Sequence, residues 1–130
     1  MDTCWEDAIL RGDAEVLRDL LSRGIHPDAR DRHGQTGLML AAQGGHLTAV
    51  QLLIDHGANL NTTAKFGLSA VMLAVIAGHE EIARVLARAG ANLGLRGTGA
   101  PGFVGKTAAE LAAARGMNDL AAELAATPQG

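Results

Sequence analysis

A step of 33 residues governs this chain. Gly12, Gly45 and Gly78 keep it, as do Gly24, Gly57 and Gly90. Ala8, Ala41 and Ala74 fall in register, and so do Leu20, Leu53 and Leu86. A period of this size means stacked supersecondary units that share one continuous interior, because a single unit cannot bury its own apolar face. Composition narrows the choice further. Of 130 residues, 48% are apolar but only 2% are aromatic, so Ala, Leu, Val and Ile must fill the interior. Small and aliphatic side chains suit close-packed short helices better than a β-sandwich. The chain is also too short for a catalytic barrel.

Within each unit the signals come in the same order. A first helix is expected after a hydroxyl N-cap at Thr3, Thr36, Ser69 and Thr107, ending near Gly12, Gly45, Gly78 and Gly116. A second helix carries apolar residues at helical spacing, as in Ala49, Val50, Leu52 and Leu53. It stops at Gly24, Gly57 and Gly90, and a turn follows with Asp28, Asn61 and Gly94 in equivalent places. The pattern predicts one all-α domain over 1–130, in units 1–30, 31–63, 64–96 and 97–126, with a tail at 127–130. The register of Leu52 and Val85 is Asp19 in the first unit and Glu123 in the last. Both end units also offer a capping box, Thr3-x-x-Glu6 and Thr107-x-x-Glu110, where the inner units have Met39 and Met72. Polar outer positions predict that the end units are caps and that the array is complete within these residues.

The residues from Asp31 to Ala42, then Gly45-His46-Leu47, Val50-Gln51-Leu52-Leu53-Ile54 and Gly57-Ala58-Asn59-Leu60-Asn61, resemble the ankyrin repeat. Residues 64–96 match again through Gly67, Gly78-His79 and Gly90-Ala91-Asn92. The resemblance spans nearly the whole chain. It implies an α-solenoid of about four helix-turn-helix units with short β-hairpin fingers, and a partner protein bound at the finger tips and concave face. It departs from the family in two places. The Pro after the N-cap is Gly37, Ala70 or Ala108, and the inner-helix His is Met39, Met72 or Glu110. Both changes predict weaker local definition than in an idealised array.

By register, the partner-binding positions are Arg32, His33, Gln35 and Gln43 in the second unit. They are Lys65, Phe66, Leu68 and Ile76 in the third, and Phe103 and Val104 in the last. Phe66, Leu68 and Ile76 are expected to form an exposed apolar patch, of the kind that marks an interaction site. The alternative is that the fingers fold over their own insertion and hide these side chains. The expected function is a non-catalytic protein–protein interaction module with an unidentified protein partner. Weak self-association through the same patch, making a structural oligomer, is the alternative.

The repeat breaks once. Gly67 to Gly105 is 38 residues, so five extra ones lie within 97–105, a stretch of Gly with Pro101. Ala100-Pro101-Gly102-Phe103-Val104-Gly105-Lys106-Thr107 nearly reproduces the phosphate loop G-x-x-x-x-G-K-[ST]. The residues before it do not read as a buried strand, and the repeat already accounts for Gly105 and Thr107. Phosphate or nucleotide binding at 100–107 is therefore the weaker reading.

Other chemistry finds little support. His46 and His79 share one register and are expected to bond to loop backbone. His79-Glu80-Glu81-Ile82-Ala83 lacks the second imidazole of a zincin helix, so no metal and no cofactor are expected. Cys4 reads as a structural or incidental thiol, and one cysteine excludes an internal disulfide. Trp5, in the register of Leu38 and Val71, is expected in the core. Glu80 and Glu81 with Arg84 and Arg88 predict i,i+4 pairs on an exposed helix face. The net charge is −3, with eight acids against five bases in 1–33, and aromatics are scarce, so nucleic acid is not expected as a partner. The acidic start and the lack of a long apolar run argue against a signal peptide and a membrane span. They predict a soluble, cytoplasmic protein.

Overall fold

The computed structural model describes residues 1–98 and 102–127. Eight α-helices lie among them, in four antiparallel pairs. The first members are α1 (Thr3–Arg11), α3 (Gly37–Gly44), α5 (Ala70–Ala77) and α7 (Ala108–Ala114). The second members are α2 (Ala14–Ser22), α4 (Leu47–Asp55), α6 (Glu80–Arg88) and α8 (Asn118–Ala126). Neighbours pack in two rows, α1–α3–α5–α7 and α2–α4–α6–α8. The result is a single all-α solenoid whose interior runs unbroken from Trp5 to Leu124.

Position in the stack explains the sequence of each helix. The central first-row helix α5 reads AVMLAVIA and is buried from Ala70 to Val75, because α3, α7 and α6 cover it on three sides. By contrast α6 faces solvent on one side and is strongly amphipathic, burying Ile82, Ala83, Leu86 and Ala87.

Thr36 and Thr107 cap as the sequence predicts, whereas Ser69 and Thr3 do not. Thr36 accepts from Met39 N–H at 3.4 Å, and Thr107 and Glu110 form the expected reciprocal box. Ser69 donates its own N–H to Met72 Sδ at 3.4 Å, while its buried hydroxyl has no partner among the described residues. Helix α1 is capped by Asp2, whose carboxylate accepts from Cys4 and Trp5 N–H at 2.9 and 3.1 Å, so the Thr3-x-x-Glu6 box does not form. A carboxylate that takes two orphan amides outcompetes a hydroxyl that takes one.

Three kinds of contact tie one unit to the next. His46 Nε2 meets Leu10 O at 3.1 Å and His79 Nε2 meets Gln43 O at 3.2 Å, backbone contacts as expected but to the last turns of α1 and α3 instead of a loop. The Asp28 carboxylate accepts from Asn59 N–H at 2.8 Å, and the Asn61 side chain from Asn92 N–H at 2.7 Å. Arg84 reaches across to Glu123 of the next unit at 2.7 Å, while Arg88 stays within α6 and meets Glu81 at 3.9 Å. That replaces the expected i,i+4 pairs within α6: a partner on the neighbouring unit captures Arg84.

Trp5 is fully buried, and its indole N–H has no partner among the described residues. Ile9, packed beside it, accounts for the departure at Gly37. A Cβ there would run into Ile9 Cδ1 and come within 3.4 Å of the Trp5 ring. The first interface uses a large residue against a glycine, so the absence of Pro at this site is complementarity between units.

The fingers differ from expectation. Instead of β-hairpins, β-structure among the described residues is limited to the isolated bridges Arg30↔Thr36 and Gly97↔Val104. Each finger closes in too few residues to lay down a ladder. Residues 99–101 of the insertion and 128–130 of the tail lie outside the described residues. No helix among the described residues is long and apolar enough to cross a membrane.

Candidate functional site

The second finger is organised by Asp31. Its carboxylate accepts from His33 and Gln35 N–H at 2.8 and 2.9 Å, while Asp31 N–H donates to Gln35 O at 2.8 Å. Short acidic side chains make this local turn readily. It leaves the side chains of Arg32 and His33 exposed at the tip.

The third finger has Ala64 in the register of Asp31 and must close without a carboxylate. Ala64 N–H donates to Leu68 O and Gly67 N–H to Ala64 O, each at 3.0 Å. Residues Lys65–Gly67 form a single 3₁₀ turn in which Phe66 takes φ 66° and ψ 17°. It is the one non-glycine residue at positive φ among the described residues. A left-handed conformation costs a side-chain-bearing residue about 1–2 kcal/mol. Contacts from the fourth unit hold it there. Thr98 N–H donates to Phe66 O at 2.6 Å, and the Phe66 and Phe103 rings meet with centroids 6.1 Å apart at 43°. Lys65 Nζ sits 5.0 Å from the centroid of the Phe66 ring.

Phe103 is positioned by Gly97. Gly97 N–H donates to Lys106 O at 3.0 Å and Gly97 O accepts from Gly105 N–H at 2.9 Å. A Cβ on Gly97 would collide with the carbonyl of Phe103, so the two backbones touch only because this residue lacks one.

Between the second and third fingers and the first-row helices lies a groove of about 660 Å³. Its floor is Leu68, Leu73 and Ile76 with the rings of Phe66 and Phe103, and Ala64 completes the wall. Arg32, His33, Gln35, Gln43 and Lys65 form the polar edge. Nine of the ten residues named from sequence therefore meet in one place. Val104 does not; it stands outside the groove, 61% exposed.

The apolar patch is less exposed than predicted. Leu68 is only 6% exposed and belongs to the core, and Phe66, Ile76 and Phe103 are half-buried. The fourth unit folds against the third finger, which turns an expected surface patch into a recess. Leu73 and Ala64 line the recess and were not singled out from sequence. Helix α5 is apolar on every side, so its periodicity carries no mark of the face that Leu73 presents.

The electrostatics of the groove are one-sided. No carboxylate among the described residues lines it. The six ion pairs among the described residues lie elsewhere and involve neither Arg32 nor Lys65.

At the phosphate-loop-like segment, Ala100 and Pro101 lie outside the described residues. The Thr107 and Glu110 donors at the start of α7 are taken up within the chain. Thr107 N–H and Oγ1–H both donate to Glu110 Oε1, at 3.2 and 3.1 Å, and Arg96 joins at 3.1 Å. The Thr107 amide and then its hydroxyl hold the Glu110 carboxyl below its ordinary range, with Arg96 adding to them. The chain's own carboxylate thus sits where an anion would need these groups. Among the described residues no three His, Cys, Asp or Glu side chains gather as metal ligands, and Cys4 is free and exposed.

Comparison with known proteins agrees with this architecture. The family described as Ankyrin repeats (3 copies) matches residues 6–97. The human Ankyrin repeat domain-containing protein 29 is 44% identical over 55 residues, covering 42% of this chain and 18% of that protein. The Ankyrin repeat, SAM and basic leucine zipper domain-containing protein 1 of Carollia perspicillata is 39% identical over 57 residues, or 44% of this chain and 12% of that one. A Putative E3 ubiquitin-protein ligase XBAT31 of Arabidopsis thaliana is 45% identical over 53 residues, or 41% and 12%. The matched stretches span only 12–18% of these relatives' own length.

Proposed function

We propose a function from one premise: this chain belongs to the ankyrin repeat family, whose arrays are in general protein–protein interaction modules. The proposed role is non-catalytic recognition of a partner protein, docked in the groove between the second and third fingers and the first-row helices. One observation carries the reading. An apolar floor of Leu68, Leu73, Ile76, Phe66 and Phe103 is ringed by polar side chains in a recess of about 660 Å³. A floor that excludes water inside a polar rim is the anatomy of a binding hot spot.

Gln43→Cys in a Cys4→Ser background allows a cross-linker to be placed at the groove edge. Covalent capture from extract of the native cell should yield a discrete adduct. Ile76→Glu should abolish it without changing the helical circular dichroism, and capture that ignores this substitution would refute the groove. Sedimentation of the dilute protein separates the alternative: a dimer dissolved by Ile76→Glu would assign the same recess to self-association.

A further inference from the structure

We propose that the segment seated in the groove is a peptide stretch with apolar anchors flanked by Asp or Glu. This rests on the docking function above and adds the chemistry of the occupant. The chain as a whole is acidic, with fourteen carboxylates against eleven cations, yet none of those carboxylates lines the groove. Helices α3 and α5, which form its base, carry no charged residue at all. Asp31 is the carboxylate nearest in sequence to Arg32. It is turned into its own finger, where it accepts from His33 and Gln35 N–H.

Against this background two cations stand at the edge. Of the six cations without an ion pair among the described residues, Arg18, Arg30, Lys106 and Arg115 lie away from the groove, while Arg32 and Lys65 line it and are exposed. Lys65 is nevertheless held in place, its ammonium set over the Phe66 ring that forms the groove wall. Two cations beside an apolar floor, with no internal counter-charge, favour carboxylates and repel Lys and Arg on the incoming segment. The floor demands apolar side chains from the same segment, because bare carboxylates would leave it wet. Gln35, Gln43 and His33 add polar hydrogen-bonding groups around it.

Fluorescence anisotropy with three labelled peptides tests the assignment. Each has about twelve residues and shares one Phe and two Leu, flanked by Glu and Asp, by Ser and Asn, or by Lys. The acid-flanked peptide should bind about tenfold more tightly than the neutral one, and the Lys-flanked peptide least. The preference should shrink between about 50 and about 500 mM salt. Arg32→Glu together with Lys65→Glu lies on exposed positions and should reverse the order while Ile76→Glu abolishes all binding. Equal binding of the three peptides, lost in Ile76→Glu, overturns the charge assignment and leaves the docking groove standing. Equal binding that survives Ile76→Glu overturns both. Preference for the Lys-flanked peptide, for a single-stranded oligonucleotide used as control, or for none of the probes also overturns the assignment, and the cross-linking experiment then decides the groove separately.

Discussion

Two glycines with the same backbone angle should respond differently to one methyl group. Gly45 has φ 77° and Gly57 φ 79°, so alanine meets the same left-handed strain at each. Around Gly57 nothing lies within 4 Å of where a Cβ would stand. At Gly45 that Cβ would come 2.7 Å from His79 Cε1 and 3.0 Å from Nε2, inside any real contact. Gly57→Ala should therefore cost about 1 kcal/mol, the left-handed penalty less the gain from a stiffer unfolded chain. Gly45→Ala adds displacement of the imidazole and loss of its 3.2 Å contact with Gln43 O. A hydrogen bond is worth about 0.5–1.5 kcal/mol net, so with the lost packing the total should reach about 2–3 kcal/mol.

Urea denaturation followed by helical circular dichroism measures both, with the midpoint moving and the slope unchanged. The decisive variant is Gly45→Ala in a His79→Ala background. With the ring gone, the glycine substitution should fall back to about 1 kcal/mol, a coupling of about 1–2 kcal/mol. Equal losses at Gly45 and Gly57, or a coupling near zero, would show that the histidine does not lock the units together. Because Gln43 also edges the groove, the same contact sets the spacing on which docking depends.

Leu68→Ala should destabilise the fold by about 2–4 kcal/mol in the same denaturation assay, since its side chain is core and its removal leaves a cavity. Phe66→Gly should leave stability within about 1 kcal/mol of the parent, because relief of the left-handed strain offsets the lost ring contacts. Yet it should weaken groove binding several-fold by anisotropy. A stability loss well beyond that range would mean that Phe66 is not strained. Glu110 has a depressed carboxyl, so its contribution is present above the unfolded carboxylate range and lost as pH falls through the lower folded value. Glu110→Gln should thus lower the melting temperature at neutral pH and converge with the parent in acid; a pH-independent gap would contradict the capping role.

What could be read from the sequence is what repeats. The step of 33 residues placed the helix pairs, and the shared register of His46 and His79 foretold their backbone contacts. Properties that arise between unlike units were not legible. Gly37 reads as a weakened helix start in sequence, but Ile9 of the first unit packs against it; a large residue in one unit and none in the next have meaning only together. Thr3 sat in register with Thr36, but Asp2, one step out of register, offers the better cap. Leu68 shares its register with a half-buried Gln35, so nothing local marked it as core. Nine of the ten named positions line one recess and Val104 does not, and the depth of that recess depends on how the fourth unit folds back.

That dependence has a single origin in the third finger. Where the second finger is shaped by Asp31 from within, Ala64 offers no side-chain acceptor, and the turn closes only by placing Phe66 at positive φ. A bulky residue persists there when its surroundings over-determine it. Here the surroundings are Thr98 N–H on the Phe66 carbonyl and Phe103 on its ring, both from the unit that carries the insertion. The third finger borrows its order from the fourth, and the groove exists only while the two are joined. A segment seated against Phe66, Phe103 and Ile76 would thus bridge two units at their one strained contact. It would stabilise that junction as much as the junction holds the segment, because whatever binds the joined state also shifts the balance towards it.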